Sequence, residues 1–218
     1  MKILCISDTH TKHNLIPNRL IDNADGTIDT IIHAGDISSG GYKGEILKFL
    51  EWYNKLPYEN KILIAGNHDF YMEQGKPEDI EAMLAEFPNI TYLNDSGIEI
   101  DGIKFWGSPV QPYFYNWAFN RVGDAICKHW DLIPLDTQVL ITHGPMKGIL
   151  DKTKRNGFVG CPYLLEKLTN LTQMKLHVCG HIHEAYGKME NENGQIFVNA
   201  SVLNAHYYMT NEPIQVEI

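Results

Sequence analysis

Short apolar runs that stop at a glycine followed by polar side chains recur along the chain and most constrain its fold. One such run covers residues 61–65 and is followed by Gly66-Asn67-His68-Asp69. A run of this length is typical of a strand buried on both faces of a sheet. Glycine permits the sharp turn that ends such a strand. Because open α/β sheets bind ligands at the carboxyl ends of their strands, the pattern predicts a site there.

The order of the predicted elements indicates βαβ units with a parallel sheet in the first part of the chain. After residue 90 the strands become short and are joined by turns such as Asp95-Ser96-Gly97. Strands are predicted at 2–7, 28–34, 61–65, 90–93, 98–100, 103–106, 139–142, 175–179, 185–190, 195–199 and 213–217, and helices at 15–22, 43–56, 77–87, 121–130 and 162–170. We expect one α/β domain over residues 1–218, with two mixed β-sheets packed face to face and helices outside.

Length and composition are typical of a globular protein with one sizeable core. The chain has 218 residues, of which 44% are hydrophobic and 21% charged. No apolar run reaches membrane-spanning length, and the first apolar run is too short for a signal peptide. No two of the four cysteines have C-x-x-C spacing, so neither a zinc ribbon nor a redox motif is expected. We therefore expect a cytoplasmic protein without a membrane partner.

The formal net charge of −9 restricts the kind of partner. Stable binding of nucleic acid depends on basic surfaces, so nucleic acid is not an expected partner. A small anionic substrate stays compatible, because a bound divalent metal reverses the local sign of the charge. The sequence leaves the oligomeric state open.

Five predicted strand ends carry side chains that commonly bind metals. They are Asp8 with His10, Asp36, Asn67 with His68, His143, and His181 with His183. Side chains two residues apart at a strand end point to the same side, so each pair can face one centre. Carboxylate, imidazole and amide groups together suit manganese, iron or zinc. The set exceeds the four ligands of one tetrahedral zinc, so we expect two ions that share a carboxylate and a water.

The complete series resembles the motif series of the calcineurin-like metallophosphoesterases. The matching motifs, in that family's order, are Asp8-x-His10, Gly35-Asp36, Gly66-Asn67-His68-Asp69, Thr142-His143-Gly144-Pro145 and Gly180-His181-x-His183. The resemblance implies a four-layer αββα sandwich, which agrees with the predicted elements. The full series is highly specific, whereas any one motif alone is not.

The resemblance also implies roles for the individual residues. A first metal ion would be held by Asp8, His10, Asp36 and His183, and a second by Asp36, Asn67, His143 and His181, with Asp36 bridging. His68 would contact the substrate phosphate and the leaving group instead of a metal. Asp69 would steady His68, although a plain turn residue is the alternative. Asn67 would lie beside the substrate as well as bind the metal.

A narrower resemblance is to the animal metallophosphoesterase-domain proteins and their microbial relatives, which are similar to class III cyclic nucleotide phosphodiesterases. The stretches that carry it are Trp106-Gly107-Ser108-Pro109-Val110-Gln111-Pro112, Trp117-Ala118-Phe119-Asn120, Trp130-Asp131-Leu132-Ile133-Pro134 and His181-Ile182-His183-Glu184-Ala185-Tyr186-Gly187. Some members of this branch lack the equivalent of His181 and are weak enzymes. This chain keeps that histidine.

We therefore expect a dinuclear metal-dependent phosphohydrolase in which a metal-bridging hydroxide attacks phosphorus. The expected substrate is a small phosphodiester such as a cyclic nucleotide. A phosphomonoesterase or small-molecule pyrophosphohydrolase is the alternative enzyme, and a non-catalytic metal-binding scaffold is the alternative of another class. Manganese is the expected metal, with Fe²⁺, Zn²⁺ and Ni²⁺ also compatible with these ligands.

Other residues allow two interpretations each. His33 and His177 alternate with apolar neighbours and are expected to be structural, whereas His206 has no assigned role, with the rim of a site as the minor alternative. The aromatic side chains of Trp106, Tyr113, Phe114, Tyr115 and Trp117 either pack in the core or, as in nucleotide sites, stack on a base. Asn120 and Arg121 are candidates for contacting substrate, as is Trp117. Lys152, Lys154 and Arg155 form either a solvated face or a substrate clamp.

Overall fold

Two β-sheets packed face to face, with helices on both outer faces, form the protein. The computed structural model describes residues 1–218. The strands are β1 Lys2–Ile6, β2 Thr30–Ala34, β3 Asn60–Ile64, β4 Ile90–Tyr92, β5 Ser96–Ile100, β6 Ile103–Ser108, β7 Gln111–Pro112, β8 Asn120–Arg121, β9 Val139–Thr142, β10 Lys152–Thr153, β11 Gly157–Phe158, β12 Leu176–Cys179, β13 Gly187–Glu190, β14 Ile196–Asn199 and β15 Ile214–Glu217. The α-helices are α1 Lys43–Asn54, α2 Phe70–Gln74, α3 Pro77–Ala85, α4 Asp124–Asp131 and α5 Pro162–Leu168. No helix combines the length and the apolar character needed to cross a membrane.

Both main sheets are mixed and have a parallel centre. The first sheet has the strand order β15-β1-β2-β3-β4, in which only β15 runs antiparallel. The second has the order β13-β14-β12-β9-β6-β5, in which β13 and β5 run antiparallel at the edges. The predicted four-layer αββα arrangement is confirmed. That residues 1–218 form one domain stays a prediction.

Alternate side chains along the central strands enter different cores, which explains their continuous apolar sequences. In β1, Ile3 and Cys5 pack between the two sheets, while Leu4 and Ile6 pack under α1. The second sheet repeats this pattern, since its Leu140 belongs to a separate core beneath α4 and α5. Both faces of β1, β2, β9 and β12 are therefore buried, and the histidines inside β2 and β12, His33 and His177, are buried with them.

The carboxyl ends of the parallel strands from both sheets meet at one edge of the sandwich. An isolated parallel bridge joins Ser7, just after β1, to Ser201, just after β14. The Val202 N–H donates to the Ser7 carbonyl at 3.1 Å, and the Gly180 N–H donates to the His143 carbonyl at 2.9 Å. Loops that are far apart in sequence are thereby brought into contact at this edge.

Two predicted helices differ from the observed structure. The helix predicted at 15–22 is replaced by two 3-10 turns, His13–Leu15 and Asn18–Leu20, which flank Pro17. The helix predicted at 121–130 starts later, because Arg121 pairs with Pro112 in a short ladder. Gly123 then takes a φ of 49° before α4 begins. Local pattern did not reveal that ladder, which depends on contacts distant in sequence.

Candidate metal centre

The ends of β1 and β2 bring two carboxylates and an imidazole together. The Nε2 atom of His10 lies 3.6 Å from Asp36 Oδ2 and 4.0 Å from Asp8 Oδ1. His183 follows β12 in the opposite sheet and places its Nε2 3.3 Å from the same Asp8 oxygen. The two carboxylates and His10 are buried. Oxygen and nitrogen atoms from both sheets therefore converge on one point.

A second cluster lies beside the first and is built around Asn67. Its Oδ1 accepts hydrogen bonds from His143 Nε2 at 2.9 Å and from His181 Nδ1 at 2.7 Å. The same His143 nitrogen lies 3.4 Å from Asp36 Oδ2. That Asp36 oxygen is thus near one histidine of each cluster. A carboxylate shared between two adjacent cations requires this position.

Four of these residues have a backbone in the left-handed region. The φ angle is 55° at Asp8, 40° at His10, 57° at Asp36 and 65° at His181. Such conformations are uncommon outside glycine and cost about 1–3 kcal/mol when strained, and they cluster at functional sites. Hydrogen bonds hold them here, since the Asp8 N–H donates to the Gly35 carbonyl at 2.9 Å and the His10 N–H to the Asp36 carbonyl at 3.0 Å.

Glycine is required where these turns touch. A Cβ atom on Gly180 would overlap the carboxylate of Asp8 and the hydroxyl of Ser7. A Cβ on Gly66 would overlap Asp36 and would lie 2.6 Å from His143 Cε1. The close approach of these backbones brings the ligand-type side chains within reach of one another.

Burial and mutual charge shift the pKa values of the cluster in opposite directions. Burial acts to raise the pKa of Asp8, but the hydrogen bond and charge of His183 lower it well below its usual range. Burial acts to lower the pKa of His143, yet the Asp36 carboxylate raises it to about 9. Burial lowers the pKa of His10 to about 4 and, with the nearby His143, that of His181 to about 3. Without a cation the cluster therefore combines ionised carboxylates with neutral His10 and His181 and a protonated His143, which would lose its proton on binding a metal.

Both ring nitrogens of His10 are buried without any hydrogen-bond partner. A buried polar group left in this state costs about 1–3 kcal/mol, so a bound cation would relieve it. Ligand-type atoms within 4.8 Å of one another form three overlapping groups, which are Asp8, His10 and His183; His10, Asp36 and His68; and Asp36, His143 and His181. The residues present therefore fit divalent metal ions.

Outer contacts fix the ligand-type side chains in place. His143 Nδ1 donates to the Ala34 carbonyl at 2.9 Å, and His183 Nδ1 donates to the Asn204 carbonyl at 3.0 Å. The Ser201 hydroxyl donates to Asp8 Oδ2 at 2.8 Å. Contacts of this kind orient metal ligands. Sequence reasoning missed Ser201 and Asn204, although the polar residues that follow strand β14 mark a sixth strand end at the site.

His68 belongs to the group with His10 and Asp36 and lies at the edge of the metal-ligand clusters. Its Nδ1 donates to the Ser39 carbonyl at 2.8 Å, and its backbone N–H donates to Asp36 Oδ1 at 2.8 Å. The Trp117 ring covers the imidazole, with 4.1 Å between ring centroids and 31° between planes. These contacts leave Nε2 as the ring nitrogen free of a protein partner.

Asp69 does not hold the His68 ring, which corrects the contact expected for it. Its Oδ2 accepts the Gly66 N–H at 2.8 Å, and its Oδ1 accepts the Ser38 N–H at 2.9 Å and hydroxyl at 2.6 Å. Burial and the charge of Asp36 raise the pKa of Asp69 to about 6 despite these hydrogen bonds. Asp69 therefore ties the turn after β3 to the turn after β2, and the Ser39 carbonyl contacts His68 instead.

Asn120 and Arg121 have partners within the chain that direct them away from the cavity. The Asn120 amide donates to the carbonyls of Phe114 at 3.1 Å and Tyr115 at 2.8 Å. Arg121 pairs with Glu73 Oε1 at 2.9 Å. Neither residue lines the cavity at the metal centre. Their contacts hold the loop between β7 and β8 in shape.

A cavity of about 830 Å³ opens over the clusters. Its walls include Phe114 and Trp117 on one loop and Lys154 and Arg155 on another. His206 also lines it, which was the minor alternative for this residue. Trp106 instead packs against the core beneath α4. The aromatic residues thus divide between the two interpretations, and a base-stacking role stays open only for those at the cavity.

Tyr207 also lines this cavity and was missed in the sequence. Its ring contacts His10 and His183 edge-on, at centroid distances of 4.9 and 5.2 Å. Burial, with the charges of Asp36 and Asp8, raises the pKa of its hydroxyl. Nothing near Tyr207 in sequence resembles a motif, so only the fold reveals its place.

The predicted structural histidines are confirmed. His33 Nε2 lies 3.0 Å from the Thr9 hydroxyl, and its Nδ1 accepts the Gly35 N–H at 3.2 Å. His177 Nε2 donates to the Thr142 hydroxyl at 2.8 Å. Both are buried, and neither reaches the metal centre.

Comparison with known proteins identifies the family. The sequence profile of the family described as Calcineurin-like phosphoesterase matches residues 1–185, which include every ligand-type residue above. The chain belongs to the calcineurin-like phosphoesterase family. Phosphoester hydrolysis with divalent metal ions is the activity typical of calcineurin-like phosphoesterases, and small phosphoesters are their substrates.

Relatives within the calcineurin-like phosphoesterases align over nearly the whole chain. Metallophosphoesterase domain-containing protein 1 of Homo sapiens is 40% identical over 238 residues, covering 100% of this chain and 71% of the human protein. A UPF0046 protein of Caenorhabditis elegans is 34% identical and covers 98% of this chain and 74% of its own length. The predicted resemblance to the metallophosphoesterase-domain branch is thereby confirmed.

Solved structures share the fold at low sequence identity. A protein of Thermus thermophilus aligns with a TM-score of 0.64 and 13% identity, over 91% of this chain and 88% of its own. An archaeal phosphodiesterase aligns with a TM-score of 0.51 and 18% identity, over 99% of both chains. Proteins with less than 20% sequence identity to this chain therefore share its fold.

Proposed function

We propose that the protein is a dinuclear metal-dependent phosphohydrolase acting on small phosphodiesters in the cytoplasm. The observation that supports this proposal most directly is that one Asp36 oxygen lies between His10 and His143, which belong to adjacent clusters. The first ion would be held by Asp8, His10, Asp36 and His183, and the second by Asp36, Asn67, His143 and His181. We expect manganese in both positions, and the same ligands are compatible with Fe²⁺, Zn²⁺ and Ni²⁺.

The chain's own residues supply binding and proton transfer around such ions. Two adjacent divalent cations supply Lewis acidity and lower the pKa of a bound water. His68 Nδ1 donates to the Ser39 carbonyl, so Nε2 is the ring nitrogen left to act on the substrate. From there it donates a proton to the departing ester oxygen. Trp117 covers the ring and keeps it in this orientation.

The cavity supports a substrate larger than inorganic phosphate. Its volume of about 830 Å³ accommodates a nucleotide, and Phe114 and Trp117 offer aromatic faces at its wall. A cyclic nucleotide or related diester is therefore the substrate class we favour. A phosphomonoesterase or pyrophosphohydrolase is the second candidate, because the same ligands would bind those phosphates.

Metal analysis combined with a substrate panel tests this function. Protein stripped of metal and reconstituted with Mn²⁺ is expected to bind two ions per chain and to hydrolyse bis(4-nitrophenyl) phosphate faster than 4-nitrophenyl phosphate. A reproducible stoichiometry of one ion contradicts the dinuclear centre. Faster hydrolysis of monoesters or pyrophosphate favours the second candidate. Two bound ions without hydrolysis of any substrate would identify a metal-binding scaffold.

A further inference from the structure

A small hairpin presents two positive charges to the cavity. In the hairpin formed by β10 and β11, Lys152 pairs with Phe158 and Thr153 with Gly157. Four consecutive residues at its tip line the cavity at the metal centre, namely Thr153, Lys154, Arg155 and Asn156. The hairpin faces the same space as the metal-ligand clusters, although no strand end of the main sheets contributes to it.

The hairpin is held in place relative to the clusters. The Lys154 N–H donates to Glu184 Oε1 at 3.3 Å, and Glu184 directly follows the ligand-type residue His183. Within the tip, the Asn156 N–H donates to the Thr153 hydroxyl at 2.9 Å. Both positive side chains therefore project from a backbone that is tied to the metal centre.

The two positive charges have no partner in the chain. Neither the Lys154 nor the Arg155 side chain makes an ion pair or hydrogen bond within the protein, although acidic residues outnumber basic ones by 27 to 18. By contrast, Arg121 pairs with Glu73. The Glu184 carboxylate accepts from the Lys154 backbone but forms no ion pair with its ammonium group. Two exposed cations at the wall of the cavity that opens over the metal-ligand clusters are in position to bind an anionic ligand.

We propose that Lys154 and Arg155 bind a second phosphate group of the substrate. This inference rests on the proposed function only in that the clusters take the first phosphate. The planar guanidinium group of an arginine can donate two parallel hydrogen bonds to a phosphate, and the ammonium group of a lysine adds a second positive charge. Together they match the charge and the hydrogen-bond acceptors of a phosphate dianion. The preferred ligand is then a nucleotide-like phosphoester that carries a further phosphate on its sugar. A simple cyclic nucleotide has one phosphate and leaves the hairpin empty.

Binding of two matched nucleotides tests the proposal without requiring turnover. Thymidine 3′,5′-bisphosphate and thymidine 5′-monophosphate are titrated calorimetrically into Mn²⁺-loaded protein. The wild type is expected to bind the bisphosphate about 10-fold more tightly or better, as charge-assisted hydrogen bonds to one phosphate provide. The double variant K154A/R155A should lose this preference and keep its affinity for the monophosphate within about twofold.

Lys152→Ala is the matched control, because Lys152 belongs to the same hairpin but packs its ammonium group over Phe158, 5.9 Å from the ring centroid. It should retain the preference. If K152A and K154A/R155A lose the preference for the bisphosphate equally, the preference arises from the overall positive charge of the hairpin, and the proposal is overturned. No preference in the wild type would overturn it as well. If the wild type hydrolyses diesters but K154A/R155A keeps the preference for the bisphosphate, the hairpin site is refuted and the proposed function is not. If K154A/R155A loses that preference but the wild type hydrolyses no substrate, the proposed function is refuted and the hairpin site is not.

Discussion

At the scale of single residues, His68 differs from its neighbours in how its ring is held. One group of ligand-type atoms includes it, with His10 and Asp36 within 4.8 Å. However, its Nδ1 is engaged by the Ser39 carbonyl and its face is covered by Trp117. We propose a proton donor at this position because the protein already engages Nδ1 and one ring face, which leaves Nε2 for the substrate.

His68→Ala should retain its metal ions and lose activity in proportion to the basicity of the leaving group. A nucleoside alkoxide needs a proton as it departs, whereas a nitrophenolate is stable as an anion. General acid assistance is worth about 10²–10⁴-fold, so the loss of kcat should be far greater for a cyclic nucleotide than for a nitrophenyl ester. The two mutant-to-wild-type ratios are measured at one pH with saturating Mn²⁺. Equal ratios would assign His68 an electrostatic role, and loss of a metal would make it a ligand.

Asp36→Asn should reduce activity more than His181→Ala. The Asp36 carboxylate lies near histidines of both clusters, whereas His181 belongs to one. Replacing a residue that hydrogen-bonds to a metal ligand already lowers metal affinity or activity about 10–100-fold. Replacing a ligand shared by two ions should lower activity further. Steady-state hydrolysis and metal content are compared for the two variants. A variant Asp36→Asn as active as the wild type would contradict the bridging assignment.

At the scale of elements, the turns that end the strands set how closely the ligand-type residues approach. Gly180 lies against Asp8 and Ser7 with no room for a Cβ atom. Gly180→Ala should therefore destabilise the fold by about 1–3 kcal/mol and weaken Mn²⁺ binding. The control is Gly44→Ala in α1, where a Cβ meets nothing within 4 Å, and which should gain up to about 1 kcal/mol. Urea unfolding and calorimetric metal titration measure both effects, and unchanged metal affinity in Gly180→Ala would show that the turn tolerates displacement.

The loop between β7 and β8 carries neighbouring aromatic residues with different surroundings. Phe114 lines the main cavity, whereas Tyr115 is 71% exposed and does not. If the loop stacks on a base, Phe114→Ala should raise KM about 5-fold or more for a cyclic nucleotide and leave KM for a small aryl diester nearly unchanged. Tyr115→Ala should change neither. Equal effects of Phe114→Ala on both substrates would favour a packing role.

Some strands and turns could be predicted from the sequence, and some contacts between them could not. The central strands and their polar ends follow from local pattern, because burial on both faces leaves a continuous apolar run that ends sharply. The position of Arg121 does not follow from local pattern, since its strand partner Pro112 and its ion-pair partner Glu73 lie on other elements. The predicted contact between Asp69 and the His68 ring was wrong for a similar reason. Its carboxylate satisfies Gly66 and Ser38, and the second of these contacts is visible only once β2 and β3 lie side by side.

At the scale of the whole molecule, buried neutral histidines make stability depend on pH. Burial lowers the pKa of His177 to about 3, below its ordinary value, so the unfolded chain takes up the proton first. The stability that this residue supports is present above about pH 6.5 and is lost as the pH falls. His177→Gln can keep a donor to Thr142 without titrating. Relative to this variant, the wild type should lose about 2 kcal/mol of unfolding free energy between pH 7 and pH 5, measured by urea unfolding. Parallel pH profiles would show that His177 is protonated in the folded state.

The bridge between Ser7 and Ser201 marks the edge where strand ends from both sheets surround the metal-ligand clusters. Asp8 and Asp36 come from one sheet and His143 and His183 from the other, so any ion that they bind is a reversible cross-link between chain segments remote in sequence. An ion present at 100 times its dissociation constant adds about 2.7 kcal/mol of stability. The concentration of free metal around the protein would then govern its lifetime against proteolysis as directly as it governs catalysis.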